Sequence, residues 1–275
     1  MDSAELSVIA NGMRKDIIRM ISKAGSGHPG GSLSCIDILT ALYFGDVMSY
    51  DAQHPDWEER DYLILSKGHA APALYAVLAR AGYFPADELD SLRKLGSRLQ
   101  GHPDSSLVPG VEVGTGSLGQ GMSVACGLAC GLRINRNEHT VFSIIGDGEA
   151  QEGQIWEAAT FAAHEQLDNL VVILDANGLQ IDGPTADVCQ VGDLGDKFTV
   201  FGWDVERIDG HDFSVIVPTL KRLQSTRNGK PHLVVASTVK GKGVSFMENA
   251  VGWHGKAPNP EQTEEALAEL SKEDR

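Results

Sequence analysis

Apolar and polar residues along the chain follow two periods, one helical and one of continuous short runs. Residues 3–24 place apolar side chains every three or four positions between charged ones, which predicts an amphipathic helix ended by the Ala24-Gly25-Ser26-Gly27 turn. Residues 34–44 read as a second helix. Asp61-Tyr62-Leu63-Ile64-Leu65 reads as a short buried strand ending at Ser66-Lys67-Gly68-His69. Helical patterns follow at 70–82 and, on the surface, at 87–96, and then 100–115 forms a long connection of the kind that often carries function in a compact domain. Further strand-like runs lie at 141–145, 170–174, 203–207 and 233–237, with a helix at 152–166. Beyond Pro258 the pattern turns Glu-rich and helical. No internal repeat or low-complexity segment is present.

Strand and helix patterns alternating in this way predict an α/β fold, a doubly wound and mainly parallel sheet with helices on both faces. At 275 residues the chain is long for one domain, yet such a sheet absorbs that length around one core. The expected organisation is one ligand-binding domain over 1–258 and an acidic helix or tail over 259–275. Ligands of such sheets bind in a crevice beyond the carboxyl ends of the strands. His28, His69, His102 and His254 all fall in turns or loops.

A formal net charge of −15 argues against nucleic acid or an anionic membrane as partner, so any bound phosphate must be held by local groups. Cys35, Cys126, Cys130 and Cys189 form no Cys-x-x-Cys pair, which fits a reducing compartment. The acidic start Met1-Asp2-Ser3-Ala4-Glu5 does not read as a signal peptide, and a cytoplasmic protein is expected. The most membrane-like stretch, Leu118 to Leu132, is too short to span and holds Gln120 and Ser123. Its Gly127 and Gly131, one turn apart, permit close packing against a sheet or a partner subunit.

The sharpest chemical signal is Gly146-Asp147-Gly148 at the end of the 141–145 run, with Asn177 thirty residues after Asp147 and just past the 170–174 run. Two adjacent strands would bring both side chains to one sheet edge. A carboxylate and an amide oxygen suit Mg²⁺ or Ca²⁺, and the glycines let a diphosphate approach the main chain. Gly-Asp-Gly alone is a common turn; the spaced asparagine makes it specific. Gly114-Thr115-Gly116-Ser117-Leu118-Gly119 satisfies Gly-x-Gly-x-x-Gly. A loop rather than a strand precedes it, and no acidic residue ends a following strand, so a nicotinamide site is not expected.

The Asp147 and Asn177 pattern resembles the thiamine diphosphate-binding motif. With Ser26-Gly27-His28-Pro29-Gly30-Gly31, Leu65-Ser66-Lys67-Gly68-His69-Ala70, Gly101-His102-Pro103, Thr115-Gly116-Ser117-Leu118-Gly119-Gln120-Gly121 and Trp253-His254-Gly255, the chain resembles the amino-terminal half of transketolases over about residues 10–258. The resemblance implies Asp147, Asn177 and the Leu179 carbonyl as ligands of Mg²⁺, with Ca²⁺ the alternative. It implies His69 and His254 as donors to the diphosphate, main-chain contacts from Gly116 and Leu118 to the aminopyrimidine, and Gly146, Gly148, Glu149 and Lys240 in the cofactor site. His28, His102 and His254 are the implied catalytic residues, placed to move protons between substrate hydroxyls. Lys67 and Lys240 either add charge beside the diphosphate or are solvated surface lysines. Glu152 is either a helix-start carboxylate or part of a subunit-interface network.

The implied reaction is ketol transfer: a two-carbon unit passes from a ketose phosphate to an aldose phosphate, as in pentose phosphate interconversion. The family's carboxylate for the aminopyrimidine N1′ and its sugar-phosphate grip lie in a following domain with no matching segment here. The chain is therefore expected to be one subunit of a split enzyme. Its partners would be a second copy across a dimer interface, together with a companion carboxyl-terminal subunit, in a heterotetramer. Two alternatives stand beside this: a thiamine-dependent two-component ketolase for another sugar or a keto acid, and a catalytically silent binding or regulatory subunit.

Overall fold

In the computed structural model, which describes residues 1–272, the first helix, α1 (Ser3–Ala24), begins at a reciprocal cap. The Asp2 carboxylate accepts from the Glu5 N–H, and the Glu5 carboxylate accepts from the Asp2 N–H, each at 2.9 Å. Gly25, left-handed at φ 66°, ends the helix. Helix α2 (Pro29–Phe44) starts at Pro29 rather than at the expected Ser34, because proline in the first turn is already set for the helix. Then come strand β1 (Tyr62–Leu65), helices α3 (Ala71–Ala81) and α4 (Gln120–Ile134), strand β2 (Val141–Gly146), helix α5 (Gly153–His164) and strand β3 (Leu170–Ala176). The short strands β4 (Leu179–Gln180) and β5 (Gly183–Pro184) pair as a hairpin, followed by one helical turn, α6 (Thr185–Val188). Helix α7 (Leu194–Val200), strand β6 (Asp204–Asp209), helix α8 (Phe213–Ser225), strand β7 (His232–Ser237) and helix α9 (Pro260–Leu270) complete the order.

The five long strands form one parallel sheet in the order β1-β2-β3-β7-β6. Alternate side chains serve opposite faces. Phe142, Ile144, Val171 and Ile173 pack with α1, α2, α3 and α8, whereas Val141, Ile145, Val172 and Leu174 pack with α4, α5 and α7. The doubly wound α/β reading holds. After β3 the chain leaves toward the α7 face, and after the neighbouring β7 it leaves toward the α1 face, so a crevice opens where these two exits part. α9 packs on α1, where the Asn11 side chain donates to the Leu270 carbonyl at 2.6 Å. Residues 273–275 of the expected acidic tail lie outside the described residues. None of the described helices is long and apolar enough to cross a membrane.

Three expectations are corrected. The surface helix at 87–96 is a 3₁₀ turn, Ala86–Ser91, because Arg93 (φ 59°) and Gly96 (φ 82°) take left-handed backbone that no helix continues through. The sixth strand of the sequence is Asp204–Asp209, later than the 203–207 expected. Gly127 and Gly131 do not pack against this chain's sheet, since a Cβ on either meets nothing within 4 Å. Gly121 is the close contact of α4 instead: its Cβ would fall 2.6 Å from the Ser66 Cα.

Helix α2 is buried from Pro29 to Tyr43 without an exposed stripe, as a helix enclosed on every side must be. Ile36 and Ile38 point to nearly opposite sides of it, and both are fully buried. Ile36→Ala and Ile38→Ala should therefore each lower unfolding free energy by about 2–5 kcal/mol, read from urea denaturation midpoints. A surface-like cost of about 0.5 kcal/mol or less for either would contradict this enclosure.

Candidate functional site

The carboxyl ends of β1, β2, β3 and β7 and the amino end of α2 surround a cavity of about 360 Å³. It brings together His28, His69, His102 and His254, with Gly116, Leu118, Gly146, Asp147, Gly148, Glu149, Asn177, Leu179 and Lys240. Every residue named as a site candidate from the sequence lines it. Lys67, Gln151, Glu152, Gln180, Ile181 and Asp182 line it as well.

An ion pair forms the floor. Lys67, just past β1, is buried and pairs with Asp175 near the end of β3, and it also donates to the Gly31 carbonyl at 2.7 Å in the first turn of α2. Asp175 accepts from Ser34 Oγ at 2.6 Å, from the Thr238 hydroxyl and from Asn177 Nδ2 at 3.0 Å. Burial would raise the Asp175 carboxyl, yet Lys67, with Ser34 and Thr238, holds it below its ordinary range. Lys67 is therefore no solvated surface lysine: burial disfavours its charge, but Asp175 keeps its pKa above normal.

Above this floor sit the two spaced residues. Asp147 Oδ1 accepts from the Gly148 N–H at 2.8 Å, and its Oδ2 accepts from the Gly178 N–H at 2.5 Å, which ties the turn after β2 to the turn after β3. Burial, with Asp175 nearby, pushes the Asp147 carboxyl up to about 6. Asn177 has its nitrogen turned to Asp175, so its oxygen faces the opposite way, where it accepts from the Leu179 N–H at 3.1 Å. Lys240, 2% exposed, donates to the Leu179 carbonyl at 2.9 Å and to His254 Nδ1 at 2.8 Å. Burial, reinforced by Lys67, lowers its pKa to about 8. Glu149 binds loops together: it accepts from Ser66 Oγ at 2.5 Å, Gly119 N–H at 2.8 Å and Gly146 N–H at 3.0 Å.

Three imidazoles form one cluster, with ring centroids of His28, His69 and His254 5.2–5.5 Å apart. Burial and neighbouring cations keep them neutral. His28 is lowered to about 4 by burial and Arg93, and His254 to about 3 by burial and Lys240. His69 is held well below its normal value by burial and Lys67. His102 stands at the more exposed rim, its ring laid on Gly116; a Cβ there would sit 2.9 Å from His102 Cδ2, and the φ of 151° also demands glycine. His102 too is lowered, by burial and Arg93. Glu152 occupies the N-cap position of α5 but is exposed and caps no N–H.

Sequence reasoning missed Asp175, Ser34, Thr238 and Arg93. Asp175 left a signal, a lone carboxylate closing the apolar run at 170–174, two residues before Asn177. Arg93 left none, because it fell within an expected helix.

The family described as transketolase, thiamine diphosphate binding domain, matches residues 7–273. A 6-deoxy-6-sulfo-D-fructose transketolase subunit of Clostridium is 46% identical over 96% of this chain and 95% of its own length. An apulose-4-phosphate transketolase subunit of Phocaeicola vulgatus is 43% identical over 94% and 91%. The transketolase structure of Campylobacter jejuni superposes with a TM-score of 0.91 at 32% identity, over 98% of this chain but 43% of that one. The chain thus spans nearly the whole of the named subunits and less than half of the full-length enzyme.

If burial and cations keep the cluster neutral, the rings of His28 and His254 should not titrate between about pH 8 and about pH 5, where an ordinary imidazole would. Ring Cε1–H resonances of the isolated chain report this directly. A midpoint near about 6.5 for either ring would overturn the electrostatic description.

Proposed function

The chain belongs to the transketolase family through its thiamine diphosphate-binding domain, and on that premise we propose that it is the amino-terminal subunit of a two-component transketolase. The observation that carries this reading is the convergence of four motif histidines, Asp147, Asn177 and Lys240 on one cavity at the strand ends.

The residues fit the cofactor and its metal. Asp147 is a buried carboxylate raised to about 6, a group that a cation would relieve. The Asn177 oxygen and the Leu179 carbonyl complete an all-oxygen donor set, which suits Mg²⁺ or Ca²⁺ better than a transition metal. Among the described residues no cluster of three His, Cys, Asp or Glu side chains offers a competing metal site. His69, His254 and Lys240 would face the diphosphate, and the main chain at Gly116 and Leu118 the aminopyrimidine. When bound, thiamine diphosphate supplies the electron sink for breaking a carbon–carbon bond beside a carbonyl. The protein's part is to hold it, exclude water from the floor and manage protons at substrate oxygens, a task for His28 and His102.

A companion chain would supply the carboxylate for N1′, the aminopyrimidine pocket and the sugar-phosphate grip. Glu152 would then stand at the subunit interface. Support comes from the relatives matched along nearly their whole length, which are themselves named as subunits. Their names also favour a second reading, in which the ketose is a less common sugar of the kind they print, a 6-deoxy-6-sulfo sugar or apulose 4-phosphate. Assays with a panel of ketose donors separate the two.

Ketol transfer should be nearly absent when this chain alone is assayed with thiamine diphosphate, Mg²⁺, a ketose phosphate and an aldose phosphate. Addition of the companion chain should restore turnover to about 1–10³ s⁻¹. Full activity without it would refute the two-component reading.

Asp147→Ala or Asn177→Ala should abolish metal-dependent cofactor retention and leave the circular dichroism spectrum unchanged. The pH dependence has a definite sign: protons compete with the cation for Asp147, so cation affinity should fall as pH drops through about 6. Titration calorimetry at several pH values checks both statements. Wild-type affinity in both variants would sink the metal assignment.

A further inference from the structure

Arg93 touches the histidine cluster from outside the cavity, and no motif or family role assigned above includes it. We propose that Arg93 is a positioning residue: it fixes the proton of His28 on Nε2, so that His28 meets the substrate as a hydrogen-bond donor. This rests on the reading that His28 faces the substrate.

The geometry runs through one contact. Arg93 Nη2 lies 3.4 Å from His28 Nδ1, and a guanidinium can only donate. Nδ1 must therefore accept, and a neutral ring then carries its hydrogen on Nε2. Among the described residues Nε2 has no hydrogen-bond partner, and His28 lines the cavity, which leaves this N–H for a ligand. Protonating the ring would put a second cation beside the guanidinium, and His28 is accordingly held neutral by burial and by Arg93.

Arg93 is suited to this task because nothing else neutralises it. Arg14, Arg60, Arg98, Arg207 and Arg222 all have carboxylate partners. Among the described residues Arg93 has none, and its Nε is buried without a hydrogen-bond partner. Its placement is also built at a cost. The backbone is left-handed at φ 59°, a conformation that crowds the Cβ of any non-glycine residue. The Arg93 N–H donates to the Leu99 carbonyl at 2.8 Å, closing the loop that holds it there. Gly101 makes room for the guanidinium: a Cβ at that position would lie 2.7 Å from the Arg93 Cζ. The other terminal nitrogen, Nη1, donates to Ser26 Oγ at 3.4 Å, two residues before His28.

A second pair repeats the arrangement. Lys240 donates to His254 Nδ1 at 2.8 Å, and an ammonium also has donors only, so a neutral His254 likewise carries its hydrogen on Nε2. Two cations from separate segments thus force the same tautomer on two rings of one cluster. The other groups facing His28 are His69, His102, His254 and Lys240; none of them has a hydrogen bond to its Nδ1. The consequence is chemical. An Nε2–H can donate to a ketose carbonyl oxygen, which only accepts, whereas the opposite tautomer would set a lone pair against it.

The test is a long-range ¹H–¹⁵N spectrum of the isolated chain labelled at histidine, without cofactor or substrate. His211 gives an internal reference of opposite type and a check on folding. Its Nδ1 lies 2.7 Å from the Asp37 carboxylate and its Nε2 accepts from the Val239 N–H at 2.8 Å, so a neutral His211 is protonated on Nδ1. His28 should be a single Nε2–H species in the wild type, become a mixture with a raised titration midpoint in Arg93→Met, and return to the wild-type pattern in Arg93→Lys. A wild-type His28 protonated on Nδ1 overturns the proposal even if the variants misfold. So does an Arg93→Met spectrum with His28 unchanged beside an intact His211 signal. In the assembled enzyme, Arg93→Met should lower kcat about tenfold, less than the roughly 10²–10⁴-fold cost of losing an acid–base group outright, with rescue by Arg93→Lys. An altered tautomer with unchanged kcat overturns the catalytic part. Failure of ketol transfer in the wild type would count against the proposed function and leave the tautomer result standing.

Discussion

The buried Lys67–Asp175 pair is the constraint on which the site depends. Each charge alone would be expensive in the interior, and together they become tolerable only because their remaining hydrogen-bonding capacity is filled. Gly31, Ser34, Thr238 and Asn177 fill it, and these residues come from α2, from the turn after β3 and from the end of β7. Segments distant in sequence are thereby held at one point. An apolar pair could fill the same volume with less desolvation, but it could not orient Asn177. The Asn177 amide is asymmetric, and the Asp175 carboxylate selects which end meets the floor and which accepts from the Leu179 N–H.

The same pair sets the charge of the site. Lys67 cancels Asp175 locally, which leaves Asp147 and Glu149 as the buried acids without an ion pair among the described residues and Lys240 as a base that faces the cavity. Asp147 is raised and Lys240 lowered, each mainly by burial, so both sit closer to neutrality than their types usually do. A protein with a net charge of −15 has no general attraction for a diphosphate. It has instead a small pocket that, under the proposed function, would take one divalent cation and its anion together.

The sheet was legible because buried parallel strands must be apolar on both faces, and the runs at 141–145, 170–174 and 233–236 have that character. Asp147 and Asn177 were legible because strand ends and spacing dictate their convergence. What escaped was set by tertiary contact. Pro29 starts a helix that its glycines disfavour, since α2 is stabilised by enclosure on all sides rather than by propensity. Asp175 read as the polar end of a strand, and its importance emerges only when Lys67 arrives from β1, more than a hundred residues earlier. Arg93 sat inside a helical pattern that its own left-handed backbone interrupts.

The neutrality of the imidazole cluster follows from this layout. His28, His69 and His254 are within 5.2–5.5 Å of one another and close to Lys67, Lys240 and Arg93, so a proton added to any ring would face several positive neighbours. Positive charge in the cavity is thus carried by lysine, a point charge, and under the proposed function would be joined by the metal. The rings contribute direction instead: each neutral imidazole has one donor and one acceptor at fixed angles. The proposed function, holding an anion while discriminating among the oxygens of a sugar, would need both kinds of group. Separating them, with cations outside the ring cluster and neutral rings inside, lets the charge be satisfied without giving up the directionality.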